Sequence, residues 1–159
     1  MDSLDRFAQE AARFEAWATR QEREGAAAVR EALTRIASLY LAALQLPHYS
    51  SEALGDAPEV KRLEDVEMAN VVAHWSLPIH HYGEVFDPLI VPPEAPVIGS
   101  IADDIGDIYR DVVSGLRAYQ SGNRVGAGWD WSFLFAYHWG EHATGAIRAL
   151  HACLEACFP

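Results

Sequence analysis

His138 and His142 lie four residues apart, and four aspartates, Asp103, Asp104, Asp107 and Asp111, crowd the segment DDIGDIYRD that precedes them. On a helix the two imidazoles project from one side, a spacing that lets a His pair chelate one transition metal. At about 100° per residue the four aspartates share an arc of roughly 100°, and hard cations such as Mg²⁺ or Mn²⁺ take oxygen ligands of this kind. Each cluster also has an ordinary reading. The histidines fit a hydrogen-bonded, partly buried pair, and the aspartates a solvated face or a salt-bridge network. Asp103 and Asp104 suit a helix N-terminus, and Asp107 can pair with Arg110. A divalent metal is the one cofactor these residues suggest. Zn²⁺ normally takes a third protein ligand, for which His48, His74, His80, His81 or an aspartate would have to come from another element.

Other chemistries find less support. The letters DDxxD resemble the aspartate-rich motif of isoprenoid synthases, but those enzymes are much longer and need a second acidic motif on a facing helix. The pair at positions 138 and 142 is similar to the HxxxH of DinB-like metal-binding bundles, which add one His from the second helix; His48, after Pro47, is the nearest equivalent. The chain has no Gly-rich phosphate loop, no GxSxG elbow and no CxxC. Glu64, Asp65 and Glu67 read as a wet helix face. Cys153 and Cys157 would share a helix face as two buried thiols.

The elements that would carry these residues are helical. Leu4, Phe7, Ala11, Phe14 and Trp17 make an apolar stripe on a first helix ending near Gly25, and Val29, Leu33, Ile36, Tyr40 and Leu44 a second, stopped by Pro47. A third helix is expected from Asp56 and Pro58 through Val60, Leu63, Val66, Val71 and His74 to Leu77. The fourth opens at Ser100 with Asp103 three residues on, a capping-box-like start, and runs to Gly122. The fifth begins near Gly128 and continues to about Cys157. The run from Trp129 to His142 holds three of the five tryptophans and reads as a central helix buried on most sides. Gly145 and Ala149, on the same side as the two histidines, leave room for a close neighbour.

These stripes imply an all-α, single-domain helical bundle of about five helices over residues 1–159. Residues 78–99 are the exception. Five prolines there forbid a regular helix, so the stretch is expected to be a long connection without regular structure, either a structural cap or a ligand-covering lid.

Charge narrows the partners. The net charge is -11, and residues 47–97 hold most of the excess, with two basic and nine acidic groups. A field of that sign disfavours nucleic acid and membrane surfaces. The one Arg-bearing region, the first third, alternates in sign through Arg6, Glu10, Arg13, Glu15, Arg20, Glu22, Arg23 and Glu24, as a solvated helix face does. With no basic leader and no apolar run of about 18 residues, a cytoplasmic location is expected. Trp17, Trp75 and Trp129 suggest an aromatic patch for a protein partner or a homo-oligomer.

PVIGSIADDIGDIYRDVVSGLRAYQSGN, followed by WDWSFLFAYHWGEHATGAIRALH and preceded by YGEVFDPL, resembles an uncharacterised bacterial family, domain of unknown function 5063. The resemblance covers the C-terminal half. It implies an all-α fold and carries no activity, cofactor or catalytic residue with it. Two functions therefore stand side by side: a small binding or interaction module without catalysis of its own, or a divalent-metal protein, a hydrolase or transferase, using the aspartates with His138 and His142.

Overall fold

The computed structural model describes residues 2–20, 24–49 and 54–158; Glu22 and Arg23 of the alternating charge run lie outside them. Helix α1, Ser3–Ala18, starts at Asp2, whose carboxylate accepts the Asp5 N–H at 2.7 Å. It buries Leu4, Phe7, Ala11, Phe14 and Trp17, the stripe that its periodicity predicts. Helix α2, Ala26–Ala43, follows Gly25, whose positive φ turns the chain back, and buries Val29, Ile36 and Leu39.

The expected third helix does not form. Only α3, Asp65–Met68, and a 3₁₀ turn, Ala73–Ser76, are helical between residues 56 and 77. The backbone groups that a helix would pair internally find partners elsewhere. The Leu63 N–H donates to Ser114 Oγ at 3.1 Å, Asn123 Nδ2 to the Pro58 carbonyl at 2.7 Å, and the Val72 N–H to the Ala18 carbonyl at 2.9 Å. Arg62 is drawn in by an ion pair with the buried Asp130. A helical period in side chains does not make a helix once tertiary contacts offer the backbone better partners.

The Pro-rich connection likewise departs from expectation, because it contains regular structure. Strand β1, His81–Glu84, pairs antiparallel with β2, Val97–Ser100, in the register His81 to Ser100 and Glu84 to Val97. Both strands are free of proline, and the prolines sit between and outside them.

Helix α4, Ile101–Gln120, begins where expected, with Ser100 Oγ accepting the Asp103 N–H at 3.3 Å. Helix α5, Arg124–Leu134, starts earlier than the apolar pattern suggested, capped by Asn123, and passes through a π-helical turn, Phe135–Trp139, into α6, Gly140–Cys157. In the bundle α1 packs on α2 and α4, α2 packs on α6, and α4 packs on both α5 and α6 around one core.

The π turn has a packing reason. Trp131 and Trp139 are eight residues apart, which puts them about 80° apart on a regular α-helix. One extra residue in a wide turn removes about 100°, so the two indoles return to nearly one face, and both are fully buried. Phe133 and Tyr137 remain exposed, so this helix has a solvent side that the sequence did not suggest. Trp17 is buried as well; of the expected aromatic patch only Trp75, 73% exposed, stands on the surface, with Trp129 half-buried. Cys153 is buried and Cys157 exposed, with 3.5 Å between their sulfurs, and burial pushes the Cys153 thiol up to about 11.

At Gly140 an added Cβ would meet the Phe135 carbonyl oxygen, which is backbone and cannot move aside. Gly140→Ala should therefore destabilise by about 1–3 kcal/mol, as overpacking does. Gly106→Ala, in open space on α4, should instead stabilise by up to about 1 kcal/mol through helix propensity. Thermal melts of the two variants check the contrast.

Candidate metal centre

Helices α4 and α6 present facing rows of side chains. Asp104, Asp107 and Asp111, spaced three and four residues apart, share the seam of α4 that meets His138 in the π turn and His142 in α6. Asp104 and Asp111 are 4% and 5% exposed, and a carboxylate so placed needs a partner. Each has an imidazole: His142 Nδ1 lies 2.9 Å from Asp104 Oδ1, and His138 Nδ1 lies 2.7 Å from Asp111 Oδ2. The second oxygen of Asp104 accepts the Tyr82 hydroxyl at 2.9 Å.

These contacts decide which nitrogens are free. With Nδ1 of both rings engaged by carboxylates, Nε2 of each is left to act as a ligand, the arrangement by which outer carboxylates orient metal-binding histidines. Asp107, His138 and His142 each bring one ligand atom within 4.8 Å of the others. His142 Nε2 and Asp107 Oδ2 are 3.5 Å apart. Two ligands held about 2.1 Å from one ion in a tetrahedron are about 3.4 Å apart, so this edge already has the right length. The side chains of Asp107, His138 and His142 are part-exposed, which leaves a way in for an ion and for water.

Negative charge gathers around the pair of rings. The hydrogen bond to Asp104 raises the His142 imidazole above its ordinary range, against the effect of burial and with help from the charges of Asp104, Asp107 and Glu84. Burial, with the hydrogen bond and charge of Asp104 adding to it, lifts the Tyr82 phenol far above its usual range, so its proton is always available to Asp104. Behind Asp111, burial raises the Asp130 carboxyl, and Arg62 opposes that rise; one oxygen of Asp130 has no hydrogen-bond partner. Arg110 balances Asp107 from 3.3 Å.

The residues singled out in the sequence thus take different places. Asp107, His138 and His142 converge, Asp104 and Asp111 stand behind the imidazoles, and Asp103 is exposed at the start of α4. The suggested equivalents of a third histidine do not enter the cluster: His48 is exposed in a loop, and the third group is Asp107. Tyr82, which no spacing in the sequence singles out, joins the site from β1. Its ring lies over Gly99, and its hydroxyl, with Glu84 Oε1, occupies the space above Gly145 where a Cβ would stand. The hairpin thus reaches directly over Gly145, and only the small residue on α6 hinted at that close approach.

Among the described residues no helix is long and apolar enough to cross a membrane. No curated protein sequence matches the chain. Among solved structures, the crystal structure of protein BF1032 from Bacteroides fragilis matches with a TM-score of 0.69 at 22% identity, covering 94% of this chain and 90% of that one. At that identity the likeness is one of fold. The family model described as Domain of unknown function (DUF5063) matches residues 1–156, far beyond the C-terminal half that carries the recognisable motifs, and the chain belongs to this family.

Proposed function

We propose that the protein binds one divalent transition metal through Asp107, His138 and His142, which favours the metal reading over that of a plain interaction module. The observation that carries this is the pairing of each imidazole Nδ1 with its own buried carboxylate, which leaves both Nε2 atoms free, in a cluster where both rings lie close to Asp107. Two imidazoles and one carboxylate suit Zn²⁺ or Fe²⁺ better than Mg²⁺, which prefers oxygen and water. Three protein ligands leave a coordination position for water or substrate, as in catalytic rather than structural zinc sites.

Titration calorimetry of the metal-free chain, with elemental analysis of the loaded one, tests the proposal. One Zn²⁺ per chain is expected and no comparable Mg²⁺ binding. Asp104→Asn and Asp111→Asn should each weaken Zn²⁺ binding by about 10–100-fold, the usual effect of losing an outer carboxylate. Asp103→Asn, outside the cluster, should leave it unchanged. Absence of stoichiometric binding, or equal affinity in all three variants, ends the idea.

A further inference from the structure

We infer that this centre hydrolyses small amides of dipeptide size, with Glu141 as general base and the cavity beside His142 as the substrate site; the inference rests on the metal reading above. The segment spells His138-Trp139-Gly140-Glu141-His142, the H-x-x-E-H order in which a helix supplies two metal ligands and, between them, a carboxylate that activates water. Around the axis of α6 Glu141 lies about 100° from His142, on its flank. Asp104, Asp107 and Asp111 are all engaged, whereas the Glu141 carboxylate makes no hydrogen bond or ion pair among the described residues.

A cavity of about 400 Å³ opens against this flank, lined by Glu84, Phe86 and Pro88 of the hairpin and by Glu141, His142 and Arg148 of α6. That volume is near the lower end for ligand pockets and suits a molecule of a few residues, not a folded chain. Its charges are of both signs. Arg148 lies six residues, about 9 Å along the axis, beyond His142, and helical side chains lean back toward the N-terminus. Its guanidinium donates to the Gly83 carbonyl at 2.8 Å and has further N–H groups to offer a carboxylate. Glu84 supplies the opposite charge, and Phe86 and Pro88 an apolar wall. A free dipeptide fits this pattern, its ammonium at Glu84 and its carboxylate at Arg148.

The reaction balances with water as the only co-reactant. An ion held by Asp107, His138 and His142 would polarise a water, from which Glu141 would accept a proton while the water oxygen forms a bond to the amide carbon. The C–N bond then breaks, and the proton held by Glu141 passes to the departing nitrogen; the new carboxylic acid gives up its own proton to that amine, so a carboxylate and an ammonium leave.

The test uses the zinc-loaded full chain and a panel of dipeptides with apolar residues, each also N-acetylated or C-amidated, with amino-acid release read by chromatography. Cleavage of the free dipeptides is expected, and blocking either end should lower kcat/KM by at least about 10-fold, the worth of a charge-assisted hydrogen bond. Glu141→Gln should lower kcat by about 10²–10⁴-fold while retaining one zinc per chain. Calorimetry on zinc-loaded Glu141→Gln should still show dipeptide binding, and adding Arg148→Ala should weaken it by about 10-fold or more. Stoichiometric zinc without dipeptide cleavage overturns this inference and leaves the metal site standing, as does full activity in Glu141→Gln. A chain that takes no zinc overturns both.

Discussion

The double variant His138→Ala, His142→Ala should show no zinc-induced thermal shift under conditions where the native chain gains roughly 5–10 °C. A ligand at 100 times its Kd stabilises the folded state by about 2.7 kcal/mol, and a chain of this size gains about 2–4 °C per kcal/mol. The readout is the shift rather than Tm, because truncating the imidazoles also leaves the buried carboxylates of Asp104 and Asp111 short of partners. The pH dependence has a definite sign. The His142 imidazole is raised in the folded state, chiefly by its hydrogen bond to Asp104. Its contribution is therefore full below about pH 6.5, the unfolded value, and is lost as pH rises through the folded one. The metal-free native chain should weaken as it is taken upward from about pH 6.5. Zinc should cancel that loss, since the ion takes the place of the proton. A zinc shift that survives in the double variant would refute the assignment of the two ligands.

How much of this was readable beforehand depends on where the determining contacts lie. The stripes of α1 and α4 are local, and so is the Ser100 cap, so periodicity and cap chemistry place them well. The residues from 56 to 77 carry a comparable period, yet they follow Ser114, Asn123, Asp130 and Ala18, partners that no local pattern reveals. The π turn shows up only as the eight-residue interval between Trp131 and Trp139, which becomes informative once both are known to be buried. In the candidate site, spacing paired His138 with His142 and put the aspartates on one arc. It did not distinguish Asp107, which faces both imidazoles, from Asp104 and Asp111, which stand behind them. That division depends on the pairing of α4 with α6. It also narrows the proposed ligands from four aspartates with two histidines to one aspartate with both.

Trp131→Ala should be among the most destabilising single substitutions, at about 3–5 kcal/mol, a large part of the 5–15 kcal/mol that holds a domain of this size. The indole is fully buried where α5 meets α4, and its Nε1–H donates to the Val112 carbonyl at 2.9 Å. It rests on Gly115, where a Cβ would run into the ring, and packs 4.7 Å from Phe7 and 5.9 Å from Tyr119. Truncation leaves a cavity bounded by helix backbone on one side, which cannot collapse to fill it. At about 2–4 °C per kcal/mol the expected fall in Tm is roughly 6–20 °C. Trp75→Ala, 73% exposed, should stay within about 0.5 kcal/mol. The contrast also bears on the metal centre. Val112 follows Asp111 directly, so the bond from Trp131 fixes the stretch of α4 that orients His138. Zinc affinity should fall in Trp131→Ala even below its Tm, whereas Trp75→Ala should bind like the native chain. Unchanged affinity in a clearly destabilised Trp131→Ala would show that Asp111 and His138 hold their geometry without support from α5.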